Sequence, residues 1–364
     1  MKSDVKRNYY LDNIRGIAAI VIILIHTSWH SGYQYVPELI RNLTLLFEVP
    51  MFFFLAGWTL KYSKSTTKYI IKILTIQLQY MFYITLIFVL IFIWSIFRGV
   101  SFDLSGVDLI KWFFHNYTSM YPFISVEASL WFFPVYFIVT ITMVTFLTLN
   151  NKKYLKLFVS LLIIALALIS FKFNQIGDIN IFISLNFLIF YSIFYLLGYL
   201  LSSIKLNLRQ LIYGLSIVFA VLLTISTTTD LNIFNLQLFK FPPHFIYLLW
   251  SLIGVLIVLY FKNYDYCFKK NILSFFGQNA IYSFFAQGIS SSILYKIVPY
   301  INLDWYFKLP ICFIINFIMA FTLIFVIKYS YNTFIKLITI FNNRVDVIYK
   351  KLCHYKTEKT EDQL

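Results

Sequence analysis

Charge is scarce in this chain, and that scarcity decides its class. Asp, Glu, Lys and Arg together make up 12% of its 364 residues, where a soluble domain carries about a quarter. With 60% hydrophobic residues and a mean hydropathy of +0.77, an ordinary globular domain is excluded. A polytopic membrane protein remains. Acids are the scarcest charge: 15 against 30 Lys and Arg, a net charge of +15. That excess does not point to nucleic acid, because the bases sit in short segments between apolar runs and in the tail, as orientation signals do. Cysteine is rare as well. Cys267, Cys312 and Cys353 have neither metal nor redox spacing, so no disulfide framework is expected. No small-residue cleavage site follows Lys2, Lys6, Arg7 and the first apolar run, so that run reads as an uncleaved span.

What the chain does have is long apolar runs, near 12–30, 42–60, 73–97, 128–149, 155–173, 181–202, 210–228, 245–261, 272–297 and 308–331. They predict an all-α polytopic membrane protein of about ten transmembrane helices. With the N-terminus cytoplasmic, only seven basic residues fall outside: Arg41, Arg98, Lys111, Lys172, Lys240, Lys296 and Lys308. The other 23 of the 30 fall inside, which predicts that both termini are cytoplasmic. Residues 1–331 form the transmembrane domain on this reading. Residues 332–364 form a cytoplasmic tail, first amphipathic (Phe334, Ile335, Leu337, Ile338, Ile340, Phe341) and then polar, lying on the inner membrane surface. Two outer loops are long enough to engage a bulky ligand: 98–127, with an interfacial stretch at Leu109, Ile110, Trp112, Phe113 and Phe114, and 229–244.

The few polar residues within the spans are the candidate site. Arg15 and His26 are eleven residues apart, about 16 Å along a helix and roughly 20° around it. Asp12 precedes Arg15 by three, so one face reads Asp12, Arg15, Ala19, Ile22, His26. Polar groups at membrane depth face a protein interior or an aqueous cavity, and they mark a site or a pathway. Glu48 stands two residues before Pro50, which must break the backbone ladder and free carbonyls beside a carboxylate. Glu127 opens the fourth span at the depth zone of His26, where a carboxylate would fix the imidazole tautomer and raise its basicity. His30 follows His26 by four residues, but two ligands are not a zinc site and no third is placed to join them. No metal is expected. His115 and His244 read as surface groups of the outer loops.

Four stretches resemble one family. Tyr10-Leu11-Asp12-Asn13-Ile14-Arg15-Gly16-Ile17-Ala18-Ala19, with His26, is similar to the opening of the membrane acyltransferase-3 family, whose mark is an Arg and a His separated by ten residues. Val49-Pro50-Met51-Phe52-Phe53-Phe54-Leu55-Ala56-Gly57 resembles the family's second-helix motif. Leu130-Trp131-Phe132-Phe133-Pro134-Val135 resembles the form found in its polysaccharide O-acetyltransferase branch, and Leu273–Tyr282 resembles a late Gly-x-Asn-Ser helix. Members often carry a His where this chain has Gln287.

The resemblance implies a multi-pass enzyme of the bacterial plasma membrane that takes acetyl from cytoplasmic acetyl-CoA to a saccharide hydroxyl outside, with polysaccharide-assembly proteins as partners. It implies His26 as catalytic centre, with Glu127 in support. Arg15 and Asp12 would hold the donor, and Glu48 and Trp131 the saccharide. Final transfer is expected on this domain or on a partner, since no esterase-like outer domain is appended. Two other readings stand beside it: a polysaccharide exporter or flippase, and succinyl transfer. The exporter fits less well, because no second copy of the Asp12–His26 pattern gives the paired halves of many transporters.

Overall fold

A computed structural model describes residues 7–29, 35–63, 66–149, 154–173, 181–229 and 231–361, and no strand occurs among them. In chain order the helices are α1 (Tyr9–Trp29), α2 (Glu38–Thr44), α3 (Val49–Lys61), α4 (Thr66–Arg98), α5 (Gly106–Phe113), α6 (Ile124–Glu127) and α7 (Phe132–Leu149). Then follow α8 (Leu155–Phe173), α9 (Ile181–Leu201), α10 (Leu208–Thr228), α11 (Phe245–Phe261), α12 (Ile272–Gln278), α13 (Ala280–Ile297) and α14 (Trp305–Glu361). Among the described residues, seven helical stretches are long and apolar enough to cross a membrane, and α8 and α9 hold shorter apolar helices. The chain is an all-α polytopic membrane protein.

Two of the expected runs are not single helices. The second splits into α2 and α3, with Leu45–Glu48 between them and Pro50 in the first turn of α3. Pro50 has no N–H to give to Leu46, so a helix can begin around it but cannot run through it. The ninth splits at Asn279, whose backbone leaves the helical region at φ −111°, ψ 28°. Its side chain stabilises the break: Nδ2 donates to the Phe275 carbonyl at 2.8 Å, and Oδ1 accepts from Lys328 Nζ at 2.8 Å. α14 runs through the boundary expected at residue 331 to Glu361 as one helix.

α1 is the hub. Of its most apolar window 72% is buried, against 11% for α10, which leans on α11 at the rim. Its neighbours are α12, α13 and α14 on one side and α3 on the other. α1 and α12 touch backbone to backbone: a Cβ on Gly16 would lie 1.8 Å from the Leu273 carbonyl oxygen, and one on Gly277 1.7 Å from that of Asp12. Small residues at such a crossing let helices approach where lipid supplies no hydrophobic drive. Side chains then fix the register. The Tyr10 hydroxyl donates to the Val258 carbonyl, and Asn13 Nδ2 donates to that of Lys269 at 3.1 Å. With its polar start anchored in this way, α1 presents one continuous face to the interior of the bundle.

Candidate active site

That face lines two cavities. The larger, about 370 Å³, is walled by Asp12, Arg15, Ala19 and Ile22 of α1. Arg7, Tyr69 and Lys72 join Arg15 at its charged end, and Phe52, Phe133, Tyr136, Phe284 and Gln287 close it deeper down. The smaller, about 80 Å³, holds His26 with Trp29, Glu48, Ser129, Trp131, Gln237 and Lys240. Ile22, Val49, Phe132 and Phe284 line both cavities, so four apolar side chains form the partition between them. Arg15 and His26 therefore belong to different chambers of one path.

At the charged end, Asp12 is already engaged. Its Oδ2 accepts from Arg7 Nε at 2.6 Å and from Gln278 Nε2 at 3.3 Å, and its Oδ1 stands 3.6 Å from Arg15 Nη1. A carboxylate placed so repels an anionic ligand and orients the two arginines instead. Asp12, expected beside Arg15 to hold the donor, is here engaged with Arg7, Gln278 and Arg15. The contact to Arg15 is long, and its guanidinium keeps donors for the cavity. Lys72 was not among the sequence candidates. Tyr69, Lys72, Ile76 and Gln79 follow one another at helical spacing on α4 and all line this cavity. That stripe in an apolar helix was a readable signal.

At the other end the carboxylate beside His26 is Glu48. It is 2% exposed, its Oε2 lies 2.7 Å from Lys240 Nζ, and its Oε1 accepts from the Tyr247 hydroxyl. Lys240, counted from sequence as an outer-loop charge, is buried here, and its apolar flanks Phe239 and Phe241 were the hint. Trp131 packs edge-on to Phe241, with ring centroids 5.2 Å apart, and forms the side wall. Glu127 lines neither cavity. It ends α6, is exposed, and accepts from the Met120 amide at 2.9 Å, because the chain turns through Ala128–Trp131 before α7 starts at Phe132. Glu127, expected to support His26, is thus found at a loop contact away from both cavities. His30 lies outside the described residues.

Neither loop histidine is fully exposed, His244 being buried and His115 half-buried. His244 is buried and caps α11, its Nδ1 accepting from the Ile246 amide at 3.1 Å, and burial pushes its pKa down to about 4. His115 shares a hydrogen bond with the Tyr117 hydroxyl at 2.8 Å and lies over Tyr80, and burial pushes it down to about 4 as well.

A helical bundle with a basic chamber and an imidazole chamber along one helix agrees with the family signature, and the family comparison decides it. The profile of the acyltransferase domain family (acyltransferase-3) matches residues 8–329. The chain belongs to the acyltransferase-3 family. Among curated proteins and solved structures, none matches it. The matched span begins just before α1 and ends within α14, so every residue named in the walls of the two chambers except Arg7 lies inside the family domain.

Proposed function

We propose that this membrane acyltransferase moves an acetyl group from cytoplasmic acetyl-CoA to a hydroxyl of a cell-surface saccharide at a bacterial plasma membrane, with both termini cytoplasmic. One observation carries the reading: a basic chamber and an imidazole chamber, on one face of α1, meet at four apolar side chains. Arg15, Arg7 and Lys72 would take the donor's phosphates, where a planar guanidinium fork suits bidentate oxygen contacts. The thioester arm then runs along the apolar wall toward His26, about 16 Å further on.

The saccharide hydroxyl approaches from the chamber of Trp131 and Glu48. A hydroxyl is a poor nucleophile near neutral pH and needs a positioned base. His26 takes its proton as the oxygen bonds to the thioester carbonyl carbon. The carbon–sulfur bond breaks, and His26 returns the proton to the leaving thiolate. Glu48, held by Lys240 and Tyr247, supplies a fixed negative charge that favours the transient imidazolium. The partition between the two chambers also counts against a glycan conduit, which needs one continuous passage.

The test is His26→Gln, which keeps hydrogen bonding but cannot exchange a proton near pH 7. Base-labile acetyl on purified surface glycan should fall about 10²–10⁴-fold at matched protein level, while the amount of glycan stays the same. Near-normal acetylation would make His26 structural. Loss of the glycan itself would favour an exporter.

A further inference from the structure

Gln287 is buried deep in the α1 bundle, and neither of its amide atoms is used. It is 1% exposed, and its Oε1 and Nε2 have no hydrogen-bond partner among the described residues. It lines only the larger cavity, the chamber of Arg15, among Ile22, Phe133 and Phe284. An amide in such surroundings is costly unless something pairs with it.

The unpaired atoms constrain the missing partner. Oε1 requires a donor and Nε2 an acceptor, adjacent in one plane. A thioester carbonyl or a phosphate offers acceptors alone. A secondary amide offers an N–H that can donate to Oε1, and the arm's further carbonyl oxygens can accept from Nε2. The cavity's apolar walls suit a slender chain, and a saccharide would have to cross the partition to reach Gln287.

Depth selects which amide. α13 runs alongside α1 in the same direction: Gly277, just before it, abuts Asp12, and further along Asn316 Nδ2 bridges Thr27 Oγ1 at 2.9 Å and Ser291 Oγ at 3.0 Å. Gln287 is one turn before Ser291, which puts it level with Ile23 and about 5 Å short of His26. We propose that Gln287 is a donor-binding residue that pairs with the thiol-side amide of the donor's pantetheine arm, two methylenes from the sulfur, and so sets how far the thioester reaches toward His26. This rests on the acyl-CoA reading above.

The experiment crosses two ligands with two proteins, purified at full length in lipid nanodiscs. Binding is measured for acetyl-CoA and for two analogues, each with one pantetheine amide replaced by a pair of methylenes. In the wild type, losing the thiol-side amide should weaken binding about tenfold, the worth of one well-made hydrogen bond. In Gln287→Leu that difference should shrink to about one, with acetyl-CoA itself weakened about tenfold. Gln287→Met carries the same measurement if the leucine variant does not purify. An equal penalty in both proteins would overturn the pairing, and so would a penalty that vanishes only for the other amide. Failure of the wild type to bind acetyl-CoA would instead overturn the donor reading beneath it.

Discussion

At the scale of single residues, the chemistry that was readable in the sequence is the chemistry that lies along one helix. Asp12, Arg15, Ala19, Ile22 and His26 repeat at helical spacing, so their common face follows from geometry alone, and all five line the two cavities. What was not readable depends on contacts between distant segments. Lys240 meets Glu48 across 192 residues, and no local pattern announces that pairing. Glu127 failed for the opposite reason: its local setting suggested an inward carboxylate, while the turn before Phe132 sends it to the Met120 amide. The Glu48–Lys240 pair gives a prediction. Both side chains are buried, so removing either one strands the other's charge, at a typical cost of about 3–5 kcal/mol. Glu48→Gln and Lys240→Met should each lower the melting temperature in detergent, and the double variant should recover much of the loss. Strictly additive losses would mean the pair is not coupled.

At the scale of elements, the apolar runs were readable because bilayer thickness sets their length. Their interruptions were only partly so. Pro50 signalled the α2–α3 break, whereas the break at Asn279 depends on Lys328 reaching it from α14. The ends of elements carry a second prediction. His244 caps α11 through an unprotonated Nδ1, and His115 is held neutral beside Tyr117. Both values are lowered in the fold to about 4, from an unfolded value near 6.5. The stability these groups contribute is therefore complete above about pH 6.5 and is lost as pH falls toward 4, because the unfolded chain takes up the protons first. His244→Asn keeps a capping oxygen but cannot titrate in this range. Its melting temperature should fall less steeply between pH 7 and pH 4.5 than that of the wild type. Parallel curves would show that His244 does not govern the acid limb.

At the scale of the whole molecule, orientation remains a matter of charge distribution, and it can be measured directly. Cys267, exposed between α11 and α12, should react with an impermeant maleimide only after permeabilisation, in a background where Cys353 is serine. Ser105→Cys, at the exposed cap of α5, should react on intact cells. The reverse pattern would invert the protein. Orientation matters because of the partition formed by Ile22, Val49, Phe132 and Phe284. If water fills the two chambers from opposite sides, those side chains act as the thin dielectric of a capacitor, and most of the membrane voltage drops across them. A full charge crossing that drop exchanges about 2.3 kcal/mol per 100 mV. The proposed transfer carries no such charge: a neutral acetyl leaves, the phosphates stay with Arg15, and the proton passes through His26 to the departing sulfur. Acetylation in proteoliposomes should therefore proceed at the same rate with or without a potassium–valinomycin potential of about 100 mV. A slowing approaching tenfold per roughly 60 mV of inside-negative potential would mean that the proton is lost to the outside instead, so that each ester moves one positive charge outward against the cell's electrical gradient.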